Sequence, residues 1–433
     1  MVLACVLGGA TCLTMILSVL FFPRIKIKKF CVDSYWVIVL LGAILMLAVG
    51  LVDFNTLISE LIKDSAINPL KILVLFICMT VLSVFLDEVG FFRFLACKTL
   101  KKAGNSQVKL FVWLYVVVSV LTVFTSNDII VLTFTPFICY FAKNAKINPV
   151  PFLVAEFIAA NTMSMMLIIG NPTNIYIATA YGIGFLDYFL VMALPTLASS
   201  VVAFFVLYLI FREHLKCPIE GECVDVKIEN KPLMIIGLIL LGTCTVLLAV
   251  GQYVGLPMWI VAVASAGALF VAVLGFSAIK RTKPKELLGC VKRAPWQLIP
   301  FVLSMFVIIL ALSNVGFTDA VSSWLGSEFA VFKYGVASFL SANLINNIPM
   351  SVLFCPIIAP LSGVAQMQAV YGAIVGSNLG AFLTPIGALA GIMWMSMLKK
   401  HGVKFSYLSF VKYCALVAVI ALVTCLGVLY FIV

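Results

Sequence analysis

Two long apolar runs carry polar inserts at positions where lipid would least tolerate them. Gly170-Asn171-Pro172-Thr173-Asn174 interrupts one run, and Thr384-Pro385-Ile386-Gly387-Ala388 interrupts another about 217 residues later. Asn161 precedes Gly170 by nine residues, and Asn378 precedes Gly387 by nine. Ser126-Asn127-Asp128 is echoed by Ile345-Asn346-Asn347, and Leu86-Asp87-Glu88-Val89-Gly90-Phe91 by Leu312-Ser313-Asn314-Val315-Gly316-Phe317. Peptide groups in hydrocarbon must be satisfied inside the protein, so a broken backbone at that depth is packed in protein or lines a polar cavity. Polar breaks at corresponding places in two halves point to the binding site of a transporter.

The surrounding chain supports this reading. Hydrophobic residues make up 64% of the 433 and charged residues 10%, against about 25% charged in a soluble domain. No stretch is long and polar enough to fold as a separate soluble domain. The first apolar segment, Val2–Phe22, has no basic residue before it and no cleavage pattern before Pro23, so it is expected to be a retained span. The 13 cysteines follow no metal spacing, and no metal site is expected. Cys217 and Cys223 share the central loop, where a cytoplasmic location argues against a disulfide.

About 20 apolar residues cross a bilayer as a helix. Ten crossings are expected: Val2–Phe22, Tyr35–Val52, Pro69–Leu86, Val150–Tyr181, Phe185–Phe211, Leu233–Val250, Pro257–Phe276, Trp296–Gly316, Met367–Leu398 and Tyr407–Val433. Lys109–Ala142 and Val336–Leu361 carry asparagines at mid-length and have arms too short for full spans, so they are read as re-entrant hairpins. On this count one side holds 25 of the 28 Lys and Arg, all but Lys63, Lys71 and Lys333. That side is the cytoplasm, and both termini face outward. The net charge of +11 therefore reflects topology, and no nucleic-acid partner is implied. Five crossings per half is an odd number, so the second half lies inverted relative to the first. The expected fold is an all-α polytopic membrane protein of two inverted repeats. The first covers 1–211, with hairpin 109–142 and broken helix 150–181. A cytoplasmic linker covers 212–232. The second covers 233–433, with hairpin 336–361 and broken helix 367–398.

The breaks supply the candidate site. Gly170, Pro172, Pro385 and Gly387 interrupt helices for steric reasons. Asn127, Asn161, Asn171, Thr173, Asn174, Asn346, Asn347, Asn378 and Thr384 offer neutral donors and acceptors, and freed helix ends add partial charges. The bland alternative, a pair of structural kinks, does not account for the amides around them. Asp128 is an acid expected at a hairpin tip, and intramembrane acids are functional candidates. Burial penalises its charge and a nearby cation favours it, so it could exchange a proton against a solute or ion. Glu156 reads either as a proton acceptor on the entry path or as a side chain reaching for the cytoplasmic interface. Asp87 and Glu88 end the third span, with Arg93 or Lys98 as expected salt partners. His214 and His401 both fall in cytoplasmic loops, so no histidine relay is expected in the membrane. No P-loop, HExxH or nucleophile elbow is present, so neither ATP use by this chain nor membrane enzymology is expected.

These residues resemble the arsenite/antimonite efflux permeases of the ion-transporter superfamily, which also holds sodium/proton antiporters and di- and tricarboxylate carriers. The resemblance runs over nearly the whole chain. It is carried by Leu86 through Phe92, by Asn127-Asp128 with Leu132-Thr133-Phe134-Thr135-Pro136, by Ala294-Pro295-Trp296-Gln297, by Asn346-Asn347-Ile348-Pro349, and by Gly376 through Gly387. It implies a secondary transporter of the plasma membrane that exchanges arsenite or antimonite for protons, without a cofactor. Sodium is the alternative coupling ion, and a small anion such as a carboxylate is the alternative substrate. A cytoplasmic ATPase could dock on the basic loops, and a homodimer is compatible with the family. Permeases of that type often carry Asp where Asn161 and Asn378 stand here, which leaves Asp128 as the main coupling candidate.

Overall fold

The computed structural model describes residues 2–22, 24–27, 30–63, 68–219, 228 and 230–433. Cys223 and Lys227 of the central linker, and Lys28 and Lys29, lie outside the described residues. The first half reads α1 (Val2–Phe21), α2 (Ser34–Ala48), α3 (Phe54–Ile62), α4 (Pro69–Glu88), α5 (Phe91–Ala103), α6 (Gln107–Phe124), α7 (Asn127–Asn144), α8 (Val150–Met163), α9 (Pro172–Ala180) and α10 (Phe185–Phe211). The second half repeats the series as α11 (Lys231–Gly251), α12 (Met258–Lys280), α13 (Lys285–Arg293), α14 (Leu298–Asn314), α15 (Phe317–Leu325), α16 (Ala330–Ile345), α17 (Asn347–Ile358), α18 (Gly363–Leu379), α19 (Leu389–Lys400) and α20 (Tyr407–Tyr430). Each helix has its counterpart ten positions on. Among the described residues, eight helical stretches are long and apolar enough to cross a membrane.

Several features depart from the sequence expectation. The hairpins are α6–α7 and α16–α17, so their arms start earlier than 109 and 336 and are longer than the apolar cores alone suggest. The short helices α3 and α13, each nine residues, were not expected. Each has one apolar face, the pattern of a helix lying in the interface plane. A small ribbon, Arg24–Ile27 against Phe30–Asp33, interrupts the otherwise helical chain; it pairs Arg24 with Asp33 at both backbone and side chain. Its place in a polar loop permits the strand pairing that the bilayer would not. Gly90 (φ 82°) and Gly316 (φ 76°) sit at the same point of each half and turn the chain from α4 into α5 and from α14 into α15.

Packing sorts the helices into two groups. α1, α2, α4, α11, α12, α13 and α14 contact chiefly one another, while the hairpins, α8, α9, α10, α18, α19 and α20 form the second group. The seam between them is mostly apolar: Ile72, Leu73 and Phe76 of α4 and Leu298 and Val302 of α14 meet Pro172, Tyr176 and Ile348.

The tightest packing is that of α16 against α18. Gly372, Gly376 and Gly380 recur every four residues along one face. A β-carbon on any of them would overlap backbone of Val331, Gly335 or Phe339. Small residues let membrane helices approach where no hydrophobic driving force separates lipid from protein. Gly376→Val is expected to prevent this approach and to cost about 3 kcal/mol or more, by overpacking. Size-exclusion profiles in detergent check it; a monodisperse peak with wild-type melting would show that the stripe does not hold the helices.

Candidate functional site

The two broken helices meet between the halves. After α8 the chain leaves helical geometry at Ser164 and re-enters at Pro172, with Asn171 capping α9 through its side chain (Thr173 N–H to Oδ1, 3.2 Å). Proline at the first helical position needs no hydrogen-bond acceptor for a missing N–H. Gly170 is required because a β-carbon would overlap the Ser164 carbonyl oxygen. The second break, 380–388, folds back so that Gly387 lies against the Gly380 carbonyl, again leaving no room for a side chain.

Asn378 joins the halves. Its Oδ1 accepts from Asn171 Nδ2 (2.9 Å) and from Ser164 Oγ (3.1 Å), and its Nδ2 donates to Asn174 Oδ1 (2.6 Å). Ser377 Oγ donates to Thr173 Oγ1 (3.1 Å). Asn174 Nδ2 donates back to the Ser164 carbonyl (2.8 Å), and Ser164 Oγ lies 2.8 Å from the Asn161 carbonyl. Asn127, at the tip of the first hairpin, donates to Asn161 Oδ1 (3.0 Å). Asn127, Asn161, Asn171, Thr173, Asn174 and Asn378 thus form one buried network.

The second hairpin tip joins the second break in the same way. Asn346 holds φ 74° and ψ 153°, outside the left-handed helical region that asparagine tolerates and close to one otherwise nearly confined to glycine. Its Nδ2 donates to the Ile386 carbonyl (3.1 Å), and the Asn347 N–H donates to the Gly387 carbonyl (3.0 Å). Thr384 donates through both its hydroxyl (2.7 Å) and its N–H (3.1 Å) to Asn343 Oδ1. Asn343, Ser164 and Ser377 are site residues that sequence reasoning missed. Ser164 lies one turn from Asn161 and Ser377 adjoins Asn378, so both were findable; Asn343 has Phe124 at the echoed position and gives no repeat signal.

The acids are placed differently. Asp128 lies in the first turn of α7, half-buried, and makes no side-chain hydrogen bond or ion pair among the described residues. It sits at the helix end that favours anions. Glu156 is fully buried, so its carboxyl does not reach the protein surface. Thr135 Oγ1 lies 3.0 Å from both carboxyl oxygens. The buried Trp394 indole N–H faces this carboxyl without closing a hydrogen bond. Thr135 is seven residues beyond Asp128 on α7, so both acids address the same face of that helix, about 10 Å apart along it. The expected partners of Asp87 are also corrected: Arg293 of α13, not Arg93 or Lys98, pairs with Asp87 (2.6 Å) and Glu88 (2.7 Å).

No Lys or Arg is buried among the described residues. Two small cavities open on the seam. One of about 20 Å³ is lined by Phe76, Pro172, Tyr176, Ile348 and Ser351, and one of about 10 Å³ by Phe76, Thr80, Ser83, Thr125 and Ser126. Each holds no more than about one water. The amides satisfy one another through the hydrogen bonds between the halves. The described residues contain no cluster of His, Cys, Asp and Glu able to hold a metal ion.

Known proteins share this sequence pattern. Residues 32–374 match the family described as "Citrate transporter". An arsenical pump membrane protein of Escherichia coli strain K12 is 29% identical over 354 residues, covering 77% of this chain and 79% of that protein. A 46 kDa membrane protein of Mycobacterium leprae is 25% identical over 372 residues, covering 81% and 84%. The crystal structure of the YdaH transporter of Alcanivorax borkumensis superposes with TM-score 0.58 at 13% identity, covering 98% of this chain and 97% of that one. At that identity the likeness shows the fold alone.

Proposed function

The chain belongs to the citrate transporter family, and on that premise we propose that this membrane transporter extrudes arsenite or antimonite in exchange for protons. The observation that carries the reading is the neutral amide network spanning both halves at Asn378, with no buried cation near it among the described residues. A citrate trianion stripped of water needs fixed positive charge or bound cations. Arsenite at neutral pH is an uncharged hydroxide, and its three O–H groups match alternating amide oxygens and N–H donors. The name carried by the E. coli relative points the same way.

In this reading residues 1–211 and 233–433 are the two repeats, and the solute binds among Asn127, Asn161, Gly170, Asn171, Thr173, Asn174, Asn346, Asn347, Asn378, Thr384 and Gly387. Asp128 exchanges the proton, and Glu156 holds a second protonation site along α7. The chain is not an enzyme and uses no cofactor; sodium is the rival coupling ion. It resides in the plasma membrane with both termini outside. A cytoplasmic ATPase on the basic loops and a homodimer are its candidate protein partners.

Transport into everted vesicles tests the proposal. Arsenite is expected to accumulate when the lumen is made acidic, and to stop accumulating when a protonophore collapses the gradient. Sodium-driven movement of citrate with no arsenite transport would replace this reading by that of a carboxylate carrier.

A further inference from the structure

The end of α4 carries an ion pair that crosses the molecule. Arg293 closes α13, a helix of the second half, and reaches Asp87 Oδ2 (2.6 Å) and Glu88 Oε1 (2.7 Å) of the first. Asp87 is 3% exposed. Its other oxygen accepts from Thr133 Oγ1 (2.9 Å) on α7. Thr133 thus belongs to the hairpin group, while Asp87 and Arg293 belong to the group on the other side of the seam. Gly289 lets α13 approach so closely that a β-carbon would overlap the Glu88 carboxylate. Most of the seam is apolar contact that can slide; this charged link cannot slide without breaking.

The link exists on one side only. The echoed positions at the end of α14 are Ser313 and Asn314, and among the described residues the Ser313 hydroxyl accepts a side-chain hydrogen bond from Thr318 of the next helix alone. In α3, the counterpart of α13, no cation matches Arg293; Lys63 just beyond it pairs with Glu60. The two repeats therefore differ where one hairpin meets the other group.

We propose that Asp87 and Arg293 are positioning residues that hold the first hairpin, through Thr133, against α4 and α13, and so bias the equilibrium between the two access states towards the one with the hairpin docked. The inference goes beyond the transport reading and does not depend on which solute is carried. A two-state equilibrium shifts only by the difference in interaction between its states, and a charge-assisted link present on one side supplies such a difference.

The test uses no substrate. Hydrogen–deuterium exchange is followed in the full chain reconstituted in lipid nanodiscs, in peptides covering Phe124–Thr135 and, as reference, Leu344–Ile358. The neutral double variant Asp87→Asn with Arg293→Gln avoids leaving one charge buried alone. It is expected to raise exchange in the first hairpin about tenfold, in line with the loss of hydrogen bonds to charged groups, and to leave the second hairpin unchanged. Thr133→Val removes only the hairpin's own hydroxyl, leaves the ion pair intact and is expected to act in the same direction. Arg293→Lys keeps a charge but loses the fork that holds both acids, and should fall between. No change in the first hairpin for Thr133→Val, or an equal rise in both hairpins for the double variant, would overturn the proposal.

Discussion

Asn378→Ala is expected to lose solute transport and about 2 kcal/mol of stability. The change leaves Asn171 Nδ2 without its acceptor and Asn174 Oδ1 without its short donor; Ser164 Oγ keeps the Asn161 carbonyl. The orphaned Asn171 Nδ2, at roughly 1–3 kcal/mol, sets an upper range, while Asn174 Oδ1 keeps a long donor in the Thr173 hydroxyl (3.5 Å). Hydrogen bonds between membrane helices average nearer 0.6 kcal/mol, because unfolded segments find partners in the bilayer too. Full burial of all three amides places this case between the two figures. Melting in detergent reads the stability, and vesicle accumulation reads the transport. A variant with wild-type accumulation would remove Asn378 from the site, whatever its melting temperature.

Asn378→Asp separates geometry from charge. Its oxygens can still accept from Asn171 and Ser164, but one must face Asn174 Oδ1, which was 2.6 Å from a donor. Only the protonated acid restores that donor. This variant is therefore expected to melt near wild type at low pH and to lose stability as pH rises.

The fold was legible because lipid is a severe solvent. Asn171 and Asn378 could not occur in apolar runs without partners, and the nine-residue spacings to the breaks marked which residues were equivalent. What the sequence hid falls into two kinds. Contacts between residues far apart in the chain carry no local signal: Arg293 looked like another cytoplasmic cation, and Arg93 and Lys98 were nearer in sequence to Asp87. Features present in one half only are invisible to comparison of the halves, which is how Asn343 escaped. The short amphipathic helices α3 and α13 failed for a third reason. Nine residues with one apolar face are too short to register as a span and too polar to be counted with one. The amide network itself came from paired positions, but its closed state did not. Composition names the donors and acceptors without saying whether they hold each other or a guest.

Asp128→Asn is expected to abolish accumulation of arsenite against its gradient while leaving folding intact. Asp128 has no hydrogen-bond partner or ion pair to lose among the described residues, and it remains half-buried at the first turn of α7. The substitution is nearly isosteric and asparagine is well accepted near a helix start, so the cost to stability should stay within about 1 kcal/mol. Coupling is different in kind. If the proton rides on this carboxyl, its neutral replacement cannot trade charge between the two faces, and a proton gradient no longer does work on the solute. Downhill movement should survive, because the amides proposed to hold the solute are untouched. Glu156→Gln supplies the contrast. Its Thr135 partner can still donate to the amide oxygen, so this variant is expected to keep accumulating solute with an altered dependence on pH. Three readouts decide the roles: the accumulation ratio under a fixed pH gradient, the downhill rate without one, and the melting midpoint. Asp128→Asn vesicles that still concentrate arsenite would move the coupling site to Glu156 of α8, the other acid that faces that side of α7 through Thr135. Loss of accumulation and downhill flux together, at unchanged melting, would instead make Asp128 part of the solute site.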